Sequence, residues 1–178
     1  AAIKSFKNFK NRTHIKVRTF KNYDNIGKYF MRIILEGPDC AGKTTLSKVI
    51  KDKLTDYIYV HHGQYAHAYK PHFESLKLDN VIIDRHWPSE LIYGTVFRSG
   101  PTYNINEMEQ KVRSNVNTLN ILCLPPKGLV MARFEERKSK GGEDFENVSK
   151  IYDSYMLLKN MFPYFVVYNY DAETAEEF

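Results

Sequence analysis

Apolar and polar positions along the chain alternate between short strand-like runs and longer stretches at helical spacing. RIILEG at 32–37 is an apolar run that ends in a glycine loop. Residues 44–54 follow, with Leu46, Val49, Ile50 and Leu54 on one helix face. YIYVHH at 57–62 predicts a second strand. VIID at 81–84 predicts a third, covered on both faces because its apolar residues do not alternate with polar ones. Just past Pro88, residues 89–97 predict a helix, and residues 104–119 predict another, with Ile105, Met108, Val112, Val116 and Leu119 on one stripe. ILCL at 121–124, stopped by Pro125 and Pro126, reads as a fourth strand. Residues 129–138 read as helix, the charged and glycine-containing stretch at about 138–146 as a lid, and residues 147–160 as helix with Val148, Ile151, Tyr152, Tyr155 and Leu158 on a face. FVVY at 165–168 is the fifth strand, and DAETAEEF at 171–178 reads as the start of a further helix, so a terminal helix is expected to be either very short or missing. Strands alternating with helices predict an α/β protein of three layers: a five-stranded parallel sheet flanked by helices, with ligands at the carboxyl ends of the strands.

Composition bounds this picture more than it changes it. With 178 residues, 43% hydrophobic and 14% aromatic, the chain can bury one sizeable core and is short for two, so a single domain over 31–178 is expected. The apolar runs fall far short of the roughly 18 residues that cross a bilayer, and a soluble protein without a membrane partner is expected. Cys40 and Cys123 offer neither a disulfide framework nor paired metal-ligand spacing, which fits a reducing cytoplasm, a host's cytoplasm if the source is viral. His61, His62, His67 and His72 lack the accompanying carboxylates or cysteines of a metal cluster.

Charge is unevenly placed within the net +5. Residues 1–30 carry eight Lys and Arg against Asp24 alone, whereas the rest carries eighteen basic against twenty acidic side chains. The body is therefore not a basic protein, and only the arm invites nucleic acid. Met31 stands directly before the first strand, which favours the plainer alternative that residues 1–30 are an extension or fusion segment.

The loop after the first strand carries the chemistry. Gly37, Pro38, Asp39, Cys40, Ala41, Gly42, Lys43 and Thr44 satisfy G-x-x-x-x-G-K-[ST] between an apolar strand and an amphipathic helix, and Thr45 continues into that helix. Backbone N–H groups of such a loop converge on a β-phosphate, Lys43 reaches the β- and γ-phosphates, and the Thr44 hydroxyl ligates Mg²⁺. A P-loop NTPase fold that binds ATP and Mg²⁺ follows as the expectation. The guanine-reading N-K-x-D of GTPases is absent, and the third strand ends in Asp84-Arg85 rather than an acidic pair. An acid there can hold Mg²⁺ or its waters while the arginine grips a second anion, which suits phosphoryl transfer between two bound molecules. Arg133 and Arg137 lie one helical turn apart just before the glycine lid, so closure would bring Arg137, Lys138 or Lys140 over the transferring group.

With EGPDCAGKTT, DRHWPSELIYG and RFEERKSKGGEDFEN in that order, residues 32–172 resemble the thymidylate kinase family of P-loop nucleoside monophosphate kinases, in the compact form found in bacteriophages. The resemblance implies that Asp39 contacts the sugar 3′-hydroxyl of an acceptor nucleotide, that Arg85 holds its phosphate and that Asp84 lies beside the metal. It implies that Ser89 and Tyr93 line the acceptor sugar, the tyrosine ring excluding a 2′-hydroxyl, and that Arg98 is an additional phosphate contact. Some family members carry a catalytic arginine inside the loop; Cys40 occupies that place, so Arg137 and Arg133 are the expected source of positive charge. Tyr65, Tyr69 and Phe73 are candidates to stack on the acceptor base, with packing on the sheet as the alternative. The implied reaction is ATP + dNMP giving ADP + dNDP, with dTMP or a related pyrimidine as acceptor, and a homodimer through residues 89–97.

Two other kinases fit parts of the pattern. A deoxynucleoside kinase needs a carboxylate just after the second strand to deprotonate a 5′-hydroxyl, and that place reads His61-His62. A viral kinase acting on hydroxymethylated bases in DNA would use the basic arm to hold its substrate. Outside the kinases, a non-catalytic nucleotide sensor is opposed by intact Lys43, Thr44, Asp84 and Arg85.

Overall fold

The computed structural model describes residues 30–63, 68–141 and 147–178. Residues 1–29, Tyr65 and most of the expected lid lie outside them. Five strands, β1 (Arg32–Glu36), β2 (Ile58–His61), β3 (Val81–Asp84), β4 (Thr118–Cys123) and β5 (Val166–Tyr168), form one sheet in the order β2-β3-β1-β4-β5. Every neighbouring pair is parallel, with Arg32 opposite Val81 on one side of β1 and Thr118 on the other. Among the described residues six helices fill the connections: α1 (Lys43–Lys53), α2 (Tyr69–Ser75), α3 (Trp87–Phe97), α4 (Ile105–Ser114), α5 (Lys127–Ser139) and α6 (Val148–Met161).

The side-chain period of a strand divides the core in two. Ile33 and Leu35 pack with Leu46 and Ile50 of α1, Tyr57, Ile121 and Tyr168 on one face of the sheet. Ile34 faces the other way and joins Ile83, Leu122 and the buried faces of α3, α4, α5 and α6, including Trp87, Met108, Val130, Ile151 and Tyr155. Trp87 sits edge-to-face against Phe162 at 5.1 Å between centroids. Burial of each aliphatic side chain on β1 contributes about 1.5–3 kcal/mol, so the central strand is held from both layers. At the sheet edge, Ile58 and Tyr59 of β2 are nearly half exposed, as only one side of that strand is paired.

The fold class matches the expectation, and three elements differ. The helix predicted over 104–119 stops at Ser114. Asn115 turns the chain out, its Oδ1 accepting from Arg32 Nη1 at 3.1 Å, and the Asn117 carbonyl accepts from the Met31 and Arg32 N–H groups. Residue 118 thereby enters the sheet opposite Arg32, and Val116, apolar and on the helical stripe, is exposed. Ladder hydrogen bonds outweigh periodicity there. Residues 171–178 form turns rather than a helix, and they bury Ala175 and Phe178 against the core, with Phe178 5.0 Å from the Tyr168 ring. Helix α2 escapes prediction because seven residues with Pro71 in the first turn carry too little periodic signal.

Candidate functional site

The carboxyl ends of β1, β2 and β3 open onto a cleft of about 870 Å³ lined by residues 39–45, His61, Asp84, Arg85, Arg133, Glu136, Arg137, Lys140 and Gly141. That volume suits a nucleotide-sized ligand. Helix α1 starts at its floor with Gly42 as N-cap, in the left-handed region at φ 90, and no side chain caps it. The N–H groups of its first turn therefore remain available to an anion, where the helix dipole also favours negative charge. A Cβ on Gly42 would meet Tyr170 Cδ1 at 2.9 Å, so this position needs glycine for space as well as conformation. Lys43 is buried and its ammonium donates to the Gly37 and Pro38 carbonyls at 2.8 and 2.6 Å. Burial, then the charge of Arg85, pull its pKa below the ordinary value, while Asp39 and Asp84 oppose them.

A second cationic centre faces the loop. Arg85 stands in the left-handed region at φ 72, where its N–H still donates to the Leu35 carbonyl. Its guanidinium donates to Asp39 Oδ1 at 2.9 Å, to Ser89 Oγ at 3.2 Å and to the Gly37 carbonyl at 3.4 Å, and lies 4.8 Å from the Tyr93 ring centre. Tyr93 donates its hydroxyl to Asp39 Oδ2 at 2.7 Å. Burial pushes the Asp39 carboxyl up, but Arg85 and Lys43 outweigh it and hold the group below its usual range. Four residues singled out in the sequence, Asp39, Arg85, Ser89 and Tyr93, thus form one connected cluster.

Beneath that cluster lies a residue that the sequence motifs do not single out. Glu36, wholly buried at the end of β1, accepts from the His86 and Ser89 N–H groups at Oε1 and from the Ser89 and Tyr155 hydroxyls at Oε2. Burial raises its pKa despite nearby Arg85 and these donors. One acid directly after the apolar run Ile33, Ile34 and Leu35 was the available signal.

Helix α5 supplies the far wall. Arg133 stacks over the Tyr170 ring at 3.9 Å, and Tyr170 donates its hydroxyl to the Cys40 carbonyl at 3.4 Å. Arg137 also faces the cleft, and its Nε is buried without a hydrogen-bond partner. Lys140 shares the wall and donates to Glu136 Oε1 at 2.5 Å. The remaining expected residues lie elsewhere. Arg98 caps the end of α3 and pairs with buried Glu90. Tyr69 and Phe73 stack on each other at 5.5 Å on α2, with Lys77 and Lys111 over the Phe73 ring, so neither ring lines the cleft.

Asp84 offers a test of metal fit. Its Oδ2 accepts from the Tyr59 hydroxyl at 2.6 Å and lies 3.3 Å from His61 Nδ1, whereas Oδ1 is buried with no partner. An orphaned carboxylate oxygen on the wall of the cleft that Thr44 also lines is the hard donor a divalent cation takes. The residues fit Mg²⁺. Among the described residues no cluster of His, Cys, Asp and Glu forms a separate metal site.

No protein-family model matches the chain, and no curated protein matches it. Its likenesses are to solved structures. The YorR protein of Bacillus subtilis, in complex with phosphorylated GDP, aligns with 22% identity over 82% of this chain and 90% of that one, at a TM-score of 0.68. A deoxyadenosine kinase from M. mycoides with bound dATP aligns with 18% identity over 83% and 95%, at 0.55. The thymidylate kinase of Candida albicans aligns with 14% identity over 80% and 84%, at 0.48, too distant to argue from. The first two likenesses support the architecture: a P-loop between β1 and α1 of a parallel sheet, in the fold that a deoxyadenosine kinase also uses.

Proposed function

We propose that the chain is an ATP-dependent deoxynucleoside monophosphate kinase that moves the γ-phosphoryl group of ATP onto the phosphate of a dNMP, with a pyrimidine such as dTMP as acceptor. The observation that carries this is the pair of cationic centres in one cleft, Lys43 in the loop and Arg85 opposite it, with Asp39 between them. The loop and the open turn of α1 grip the triphosphate. Arg85 holds the acceptor phosphate, and the bond forming to its oxygen lies in line with the breaking bond to the β,γ-bridging oxygen. That acceptor oxygen is already anionic, so no strong base is needed; alignment and charge neutralisation supply the rate. Arg137, with its unpartnered Nε, and Arg133 are placed to neutralise charge on the transferring group. Mg²⁺, held by Thr44 and Asp84, would offset the β- and γ-phosphate charge.

Residue chemistry at the end of β2 supports a phosphate acceptor over a hydroxyl. His61 occupies the place where a nucleoside kinase needs a carboxylate, and it contacts Asp84. The test is an ATP-consumption panel over the dNMPs, hydroxymethyl-dUMP, the ribonucleotides and thymidine. One or more dNMPs should be turned over, and Lys43→Ala should lower that turnover by about 10³-fold while circular dichroism stays native. Phosphorylation of thymidine but of no monophosphate overturns the proposal.

A further inference from the structure

We infer that Glu36, Ser89 and Tyr155 form a positioning relay for Arg85, through which α6 sets the acceptor-binding arginine. The inference rests on the role proposed for Arg85, and deepens it.

Three features of the corner after β3 support it. Arg85 adopts a left-handed conformation that costs a residue with a Cβ on the order of 1 kcal/mol or more, and such a conformation persists only where its surroundings hold it. Helix α3, directly after it, has His86 at its N-cap with no side-chain cap of its own. Glu36 does that work from the neighbouring strand, accepting from the His86 and Ser89 N–H groups. One carboxylate therefore pins the backbone on the far side of Arg85.

The same carboxylate reaches the guanidinium through a hydroxyl. Ser89 Oγ accepts from Arg85 Nη1 at 3.2 Å and donates to Glu36 Oε2 at 2.8 Å. Tyr155 completes the group, its hydroxyl 3.0 Å from Glu36 Oε2 and 2.9 Å from Ser89 Oγ. Ser89 and Tyr155 are both buried, so water does not replace either contact cheaply. Tyr155 stands two turns into α6, which begins at Val148. Displacement of α6 would thus alter the donors on Glu36 and, through Ser89, the aim of Arg85.

The experiment separates aim from fold. Ser89→Ala and Tyr155→Phe remove single hydroxyls and leave the packing. Each should raise the acceptor's KM about tenfold, leave the KM for ATP within a factor of two, and combine non-additively in the double variant. Ser89→Thr, which keeps a hydroxyl, should restore most of the loss. NMR of the Arg85 Nε–H, assigned by its disappearance in Arg85→Lys, should change from a hindered to an averaged signal in Ser89→Ala. An unchanged Arg85 signal in Ser89→Ala and Tyr155→Phe, or KM values for both substrates that move together with melting temperature, overturns the relay. If no dNMP is turned over by the wild-type chain while the Arg85 signal still responds, the relay stands and the acceptor assignment falls.

Discussion

At Gly37 the backbone runs at φ 140, and a Cβ there would sit 2.2 Å from the carbonyl oxygen of Cys123. Neither strain is relieved by a side-chain rotation, because the obstacle is the backbone of β4. Gly37→Ala should therefore cost at least about 3 kcal/mol, seen in urea unfolding, and should disable the loop even where the protein folds. Its carbonyl also accepts from Lys43 and Arg85, so one residue without a side chain joins both cationic centres. Residues of this kind were legible in the sequence: the spacing of Gly37, Gly42, Lys43 and Thr44 is local, and so is the adjacency of Asp84 and Arg85. Glu36 and Tyr155 were not, since they meet across 119 positions, and a buried tyrosine on a helical stripe looks like any other core residue. Tyr170 escaped for the same reason.

Two helices that pack together show how differently a helix start can be secured. Helix α4 carries its own cap, the Asn104 side chain accepting from the Glu107 N–H at 3.2 Å. Helix α3 is capped by Glu36, from another element, and so ties its stability to the cleft. Asn104→Ala should lower stability by about 1 kcal/mol with phosphoryl transfer unchanged, measured by thermal melting beside an ATP-consumption assay. Where an element's determinants are in its own residues, sequence patterns found it: the apolar faces of α1 and α6, and the unbroken apolar run of β3. Where a neighbour decides, they did not. The end of α4 depends on Arg32 of β1, and α2 depends on stacking and cation contacts with Tyr103 and Lys111.

Acid should weaken the molecule in a defined window. His62 and His86 are buried beside His72 under the sheet end, with burial holding their pKa values down to about 4 and about 3 against an ordinary 6.5. Both folded-state values are depressed, so their contribution is complete above pH 6.5 and is lost as pH falls towards 4 and then 3. Each group accounts for a slope of up to about 1.4 kcal/mol per pH unit. Asp39, also depressed, acts lower, below its ordinary 3.8. Urea titrations from pH 7.5 to 4.5 should show falling stability; a level profile would mean that these histidines take up protons in the folded state.

Trp87 is the chain's one tryptophan. It opens α3 two positions after Arg85 and rests on Phe162, at the end of α6. Its intrinsic fluorescence therefore originates at the junction between the arginine corner and α6, so emission changes there report on that junction without an attached dye.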